Sequence, residues 1–219
     1  MSLSLADAIT EVRNILNEAS PAYWTDAEIT SWIQEGTKIV ASKTLMVEDD
    51  QTISPLVANQ LSYTSSDETW IADMIEPYTA IYDDGSNNLK GMIKIHPRQV
   101  GNLATYTPGP PKYYALHNRQ FFIWPLSSAA VAAVGSVRVL FAKITNDITD
   151  LTDEYQSLAV QFALSRAKQK DQKFAEAQSL LQQFYNEVNF ERQDKHVRET
   201  DSVQSFRIPK TGGGQGARG

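Results

Sequence analysis

Apolar residues recur at three-to-four spacing at both ends of the chain and alternate with polar ones in its middle, so the pattern divides the chain before composition is considered. Leu5, Ala8, Ile9, Val12, Ile15, Leu16 and Ala19 share one face of a helix predicted over residues 5–18, with Pro21 as its stop. The stretch PAYWTDAEITSWIQEGTKIVASKT carries the clearest start signal in the chain. Thr25 and Glu28 have the spacing of a capping box, and Trp24 at N′ stands opposite Ile29 at N4 as a hydrophobic staple would. Ile29, Trp32, Ile33, Gly36, Ile39 and Val40 continue the inner face of this second helix, where Gly36 would admit another helix closely. Downstream, Tyr155, Leu158, Ala159 and Phe162 recur in the same way, as do Phe174, Ala177, Leu181, Phe184 and Val188. Eight of nine residues from Ser165 to Lys173 are polar, and Asp171 can serve as an N-cap, so the run 153–192 is predicted to break near Lys170.

Between these ends lie short segments rich in Tyr, Ile, Val and Phe, predicted as strands at 60–64, 74–82, 89–96, 112–116, 120–124 and 136–144. Asp83-Asp84-Gly85-Ser86-Asn87 and His117-Asn118-Arg119 have the composition of hairpin connections. Pro108-Gly109-Pro110-Pro111 must be irregular, because proline cannot donate to a ladder. A one-turn helix is expected at 97–103, a small-residue loop or edge at 127–133, and a solvated turn at Asp49-Asp50. The expected fold class is therefore α+β. Residues 1–44 and 150–195 form a discontinuous helical domain, 45–149 a β-rich insertion built as a sheet or small sandwich, and 196–219 an extended arm.

Composition narrows the class. At 219 residues with 42% hydrophobic and 21% charged content, the chain can bury one sizeable core or two small ones. No apolar run approaches the roughly eighteen residues that a spanning helix needs, and MSLSLADAIT lacks the basic and long apolar regions of a secretion signal. The chain is accordingly expected to have no membrane partner and to stay where it is made. Absence of cysteine excludes disulfides, thiol nucleophiles and thiolate metal sites. The net charge of −6 disfavours general nucleic-acid binding, which depends on clustered cations. Residues 202–219 reverse that sign: Arg207, Lys210 and Arg218 stand there without any acidic side chain, a basic tail on an acidic body.

Motifs for chemistry are missing or fail on spacing. Lys210-Thr211 precedes its glycines, the wrong order for a phosphate-binding loop, and no Gly-x-Ser-x-Gly elbow occurs. The Asp83–Asn87 turn lacks the alternating ligands and closing glutamate of a calcium loop. His96, His117 and His196 show no metal-ligand spacing and read as surface residues. Tyr113, Tyr114, Phe121, Phe122 and Trp124 could stack on single-stranded nucleic acid, but only Lys112 and Arg119 accompany them, so core or interface packing is the better reading. Lys168, Lys170 and Lys173 read as a solvated face able to meet phosphates or an acidic partner. No catalytic residue, metal or cofactor is expected.

Three stretches carry a family resemblance: YWTDAEITSWIQEGTKIVASKT, the middle segment PPKYYALHNRQFFIWP, and YQSLAVQFALSRAKQKDQKFAEAQSLLQQFYNEV. Together they resemble the tailed-bacteriophage head-to-tail adaptor family, the head completion or connector proteins, over about residues 5–188. The resemblance implies a non-enzymatic virion protein assembled in the host cytoplasm. It implies a homo-oligomeric ring, commonly of twelve copies, beneath the portal protein and above the tail tube or nozzle protein, with DNA passing through its centre unbound. The alternative is a tail completion or other virion scaffold protein that does not touch the portal. Within the adaptor reading, the arm is expected to dock on the portal, with Phe206 and Ile208 as apolar anchors and Arg207 and Lys210 meeting carboxylates. Ordering costs about 1–2 kcal/mol per residue against roughly 1.5–3 for each anchor, so backbone pairing and avidity around the ring must add to the anchors.

Overall fold

The computed structural model describes residues 3–18, 23–86, 88–96, 98–99 and 107–205, with side chains described as far as residue 190. It has helices at both ends and two β-sheets between them.

Helix α1 (Leu5–Leu16) opens on a capping box of Ser4 and Asp7 that the sequence reading passed over. It ends at Leu16 with Asn17 left-handed at φ 56°, ahead of Pro21, so an asparagine cap and not the proline makes the stop. Helix α2 (Asp26–Thr44) starts where its signal placed it, with Thr25 Oγ1 accepting from the Glu28 N–H and the Glu28 carboxylate accepting from the Thr25 N–H. Helix α4 (Asp153–Lys170) is buried on more than one stripe: Tyr155, Gln156, Leu158, Ala159, Val160, Phe162, Ala163 and Leu164 are all inside. It is therefore the central helix of the bundle, with α1, α2 and α5 (Phe174–Ser205) packed around it. The predicted break is present, but Asp171 closes α4, and the first turn of α5 accepts through the Lys173 carbonyl. Helix α5 also runs past its predicted end, so residues 196–205, assigned to the extended arm, continue the helix.

Gly36 lets α2 and α4 touch. A Cβ there would stand 3.0 Å from Phe162 Cβ and 3.1 Å from the Ala159 carbonyl oxygen. Phe162 and Phe184 meet at 5.2 Å in the centre of this core.

The middle holds β1 (Glu48–Ile53), β2 (Ser62–Tyr63), β3 (Met74–Asp83), β4 (Leu89–Gly91), β5 (Ile93–Lys94), β6 (Tyr113–His117), β7 (Gln120–Trp124) and β8 (Ser136–Lys143). They form two four-stranded sheets ordered β1-β8-β3-β4 and β2-β7-β6-β5, antiparallel except for the β5–β6 pair. Ile53, Ala80, Tyr82, Val137, Val139 and Phe141 of one sheet share a core with Tyr63, Tyr114, Phe121 and Ile123 of the other. This is the small sandwich among the expected alternatives.

Three expectations here are corrected. Asp49-Asp50 is not a turn: both lie in β1, whose acidic residues pair with basic ones of β8, Asp50 with Arg138 and Asp49 with Lys143. The 127–133 loop is mostly a short helix, α3 (Ala129–Val134), capped by Ser128. The single predicted strand 89–96 is two, because the chain leaves the first sheet at Met92 and joins the second. Both predicted hairpin connections are found. The one between β6 and β7 places Asn118 and Arg119 at φ 50° and 57°, the primed-turn geometry that matches strand twist. Of the 97–103 helix only Arg98 and Gln99 are described, in a 3-10 conformation.

Candidate docking surfaces

The chemistry-bearing residue types are placed for structure. Asp83 and Asp84 accept from the Gly85 and Ser86 N–H groups at 2.9 and 3.0 Å and so close their own turn. His96 and His117 are exposed beside strand ends, while the side chain of His196 lies outside the described residues. Among the described residues no cluster of His, Asp and Glu could hold a metal ion, and no helix is long and apolar enough to cross a membrane. The aromatic run is divided by the pleat. Tyr114 and Phe121 stack at 5.8 Å inside the sandwich, and Phe122 and Trp124 stack at 5.5 Å on the opposite face, Trp124 being buried as well.

The three lysines near the helical break do not make an open basic patch. Lys168 pairs with Glu176 at 3.1 Å, Lys173 with Asp171 at 2.7 Å, and Lys170 with Glu28 at 2.8 Å. Lys170 Nζ also donates to the Tyr23 carbonyl at 2.7 Å, and the Tyr23 hydroxyl donates back to the Lys170 carbonyl at 2.9 Å. Trp24 Nε1 donates to the Ala167 carbonyl at 3.3 Å. Trp24, Thr25, Glu28 and Ile29 thus begin α2 and also tie it to the end of α4, with Ile29 fully buried in the shared core. The Lys170 hydrogen bond, followed by those from Thr25, lowers the Glu28 carboxyl from 4.5 to about 2.

Two polar residues that the sequence reading missed hold the helical core at its seams. Arg13, 8% exposed, donates to the Asp26 and Glu18 carboxylates and to the Trp24 carbonyl, fixing the α1–α2 corner. Buried Gln156 accepts from the Leu3 N–H at 2.6 Å and donates to the Ile148 and Leu151 carbonyls at 3.1 Å each. No signal in the sequence marks it, because Gln156 stands between Tyr155 and Ser157, with Gln161 a second glutamine in the same helix.

The depressions on the described surface include three near the helices. A groove of about 480 Å³ between the start of α4 and the middle of α5 is lined by Glu154, Tyr155, Leu158, Asn186, Glu187 and Phe190. A second of about 240 Å³ at the other end of the same hairpin is lined by Arg166, Phe174 and Leu181 among others, with no carboxylate. The third, about 290 Å³ where the helices meet the first sheet, mixes Lys38 and Lys143 with Asp49 and Asp73. Phe174 and Phe190 are 63% and 68% exposed, so each helical groove has an aromatic ring at its rim that the described residues leave uncovered. The sequence-predicted arm residues Phe206, Arg207, Ile208 and Lys210 lie outside the described residues.

The fold is a helical bundle joined to a β-sandwich, with grooves open on the described surface. The family model of the SU10 adaptor protein matches residues 3–205, and the chain belongs to that family. It is therefore a structural adaptor of a bacteriophage virion, a component that meets other virion proteins. No curated protein sequence matches the chain.

Proposed function

We propose that this chain is one subunit of a closed ring, twelve copies in the reading the resemblance implies, that joins the portal to the tail tube or nozzle and surrounds the DNA exit channel. The match to the adaptor family over residues 3–205 is the observation that carries this reading. Two features support it. A ring needs a heterologous interface whose rotation closes, and a subunit with a helical end and a β-rich end offers different surfaces to its left neighbour, right neighbour, portal and tail. A net charge of −6 per copy repels DNA, as suits a channel through which the genome must slide. Assembly takes place in the host cytoplasm and ends in the virion.

Negative-stain imaging of the purified protein, alone and mixed with its portal, tests this. Rings, or ring-on-ring particles with portal, are expected. Compact monomers in both samples, or association with tail proteins and none with portal, would overturn it, the latter in favour of a tail completion role.

A further inference from the structure

We propose that the acid-rimmed groove between α4 and α5 receives residues 206–210 of a second copy of this chain, so that neighbouring subunits are strapped together arm to groove. The inference rests on the ring reading above and adds to it a specific contact between copies.

The receiving surface and the segment match in chemistry. Tyr155, Leu158 and Phe190 give the groove an apolar floor and rim, while Glu154 and Glu187 are the charged residues among the described ones that line it. Phe206-Arg207-Ile208-Pro209-Lys210 offers two large apolar side chains and two cations without an acid, the residue types an apolar groove with an acidic rim selects. The other two depressions fit less well. One carries Arg166 and no carboxylate, and in the other Lys38 and Lys143 balance Asp49 and Asp73, so neither offers a cation a net acidic rim. Opposite charge selects the first groove.

Reach decides that the contact is between copies. Helix α5 is continuous to Ser205, which lies about 27 Å along the helix axis from Glu187, at 1.5 Å per residue. The chain from Ser205 to Ile208 spans roughly 10 Å even when fully extended. A subunit therefore cannot lay Phe206 or Ile208 in its own groove. The groove of a neighbouring copy is under no such limit of reach. A contact of this kind is heterologous, each copy giving an arm on one side and a groove on the other, and repeated around an axis it closes a ring.

The protein has no native cysteine, which makes the test direct. Asn186→Cys and Ile208→Cys are made in separate full-length chains, mixed and mildly oxidised. A disulfide between the two different variants, seen as a dimer band on a non-reducing gel, is expected. Absence of that band from a mixture that still forms rings overturns the arm-to-groove contact and leaves the ring reading standing. Charge exchange gives the second arm of the test. Glu154→Lys with Glu187→Lys, or Arg207→Glu with Lys210→Glu, is expected to raise the concentration at which copies associate about fivefold, and combining the two sets to restore it. Association unchanged by either set overturns the proposal. So does a loss confined to portal binding, which would send the arm to the portal instead.

Discussion

The helical region and the β-sandwich are held together by different means. In the helical region, backbones come close: Gly36 sits against Ala159 and Phe162, and the caps at Ser4 and Thr25 are each closed within four residues of sequence. In the sandwich, every sheet depends on distant pairing. β1 finds β8 some ninety residues away, and its acidic face is matched only when Arg138 and Lys143 arrive. The first region is thus specified by local signals and small residues at a close contact, the second by which strands meet.

The largest expected effect separates the two cores. Phe162 and Phe141 are both fully buried, and Phe162→Ala and Phe141→Ala should each cost about 3–5 kcal/mol. If residues 1–44 with 150–195 form one domain and 45–149 another, calorimetry with far-ultraviolet dichroism will show two transitions. Phe162→Ala will then lower the one that carries the helical signal and Phe141→Ala the other. A single transition lowered by both would merge the regions into one cooperative unit.

Two glycines sharpen the contrast. Gly36→Val forces a branched side chain against Phe162 and the Ala159 backbone and should cost about 2–3 kcal/mol. That is a fall of roughly 4–12 °C in Tm, at about 2–4 °C per kcal/mol for a chain of this size. Gly91→Val, on β4 with nothing within 4 Å of the added Cβ, should change stability by less than about 0.5 kcal/mol. Equal losses at the two sites would remove the distinction.

A smaller effect belongs to the start of α2. Thr25→Ala should cost about 1 kcal/mol by chemical denaturation, through the lost cap. Glu28 has a lowered folded-state pKa, so its contribution is present above 4.5 and is lost as pH falls from there toward about 2. Glu28→Gln should flatten the pH dependence of stability across that window. A curve as steep as that of the unaltered protein would show that Glu28 does not contribute there.

The smallest effect is at the edge of the first sheet. Asp50→Asn removes the partner of Arg138, itself 63% exposed, and should cost no more than about 1 kcal/mol at low salt and less at high salt. Hydrogen exchange should localise that loss to β1 and β8. Protection lost equally in α2 would contradict the separation of the two regions.

What the sequence determined by itself was whatever is closed over a few residues. The Thr25–Glu28 box, the Asn118-Arg119 turn and the break after Lys170 each act over one turn of chain, so their residue types state the outcome. What only the tertiary structure decided depends on partners far along the chain. Glu48-Asp49-Asp50 has no strand pattern of its own and becomes a strand because β8 supplies both ladder and counter-charge. Lys170 reads as a solvated cation until α2 brings Glu28 to it, and the α4–α5 groove has no sequence signature, because its six lining residues come from two helices that meet only on folding. Local geometry is written in residue order; an edge strand, an ion pair or a groove exists only once separate segments have been brought together.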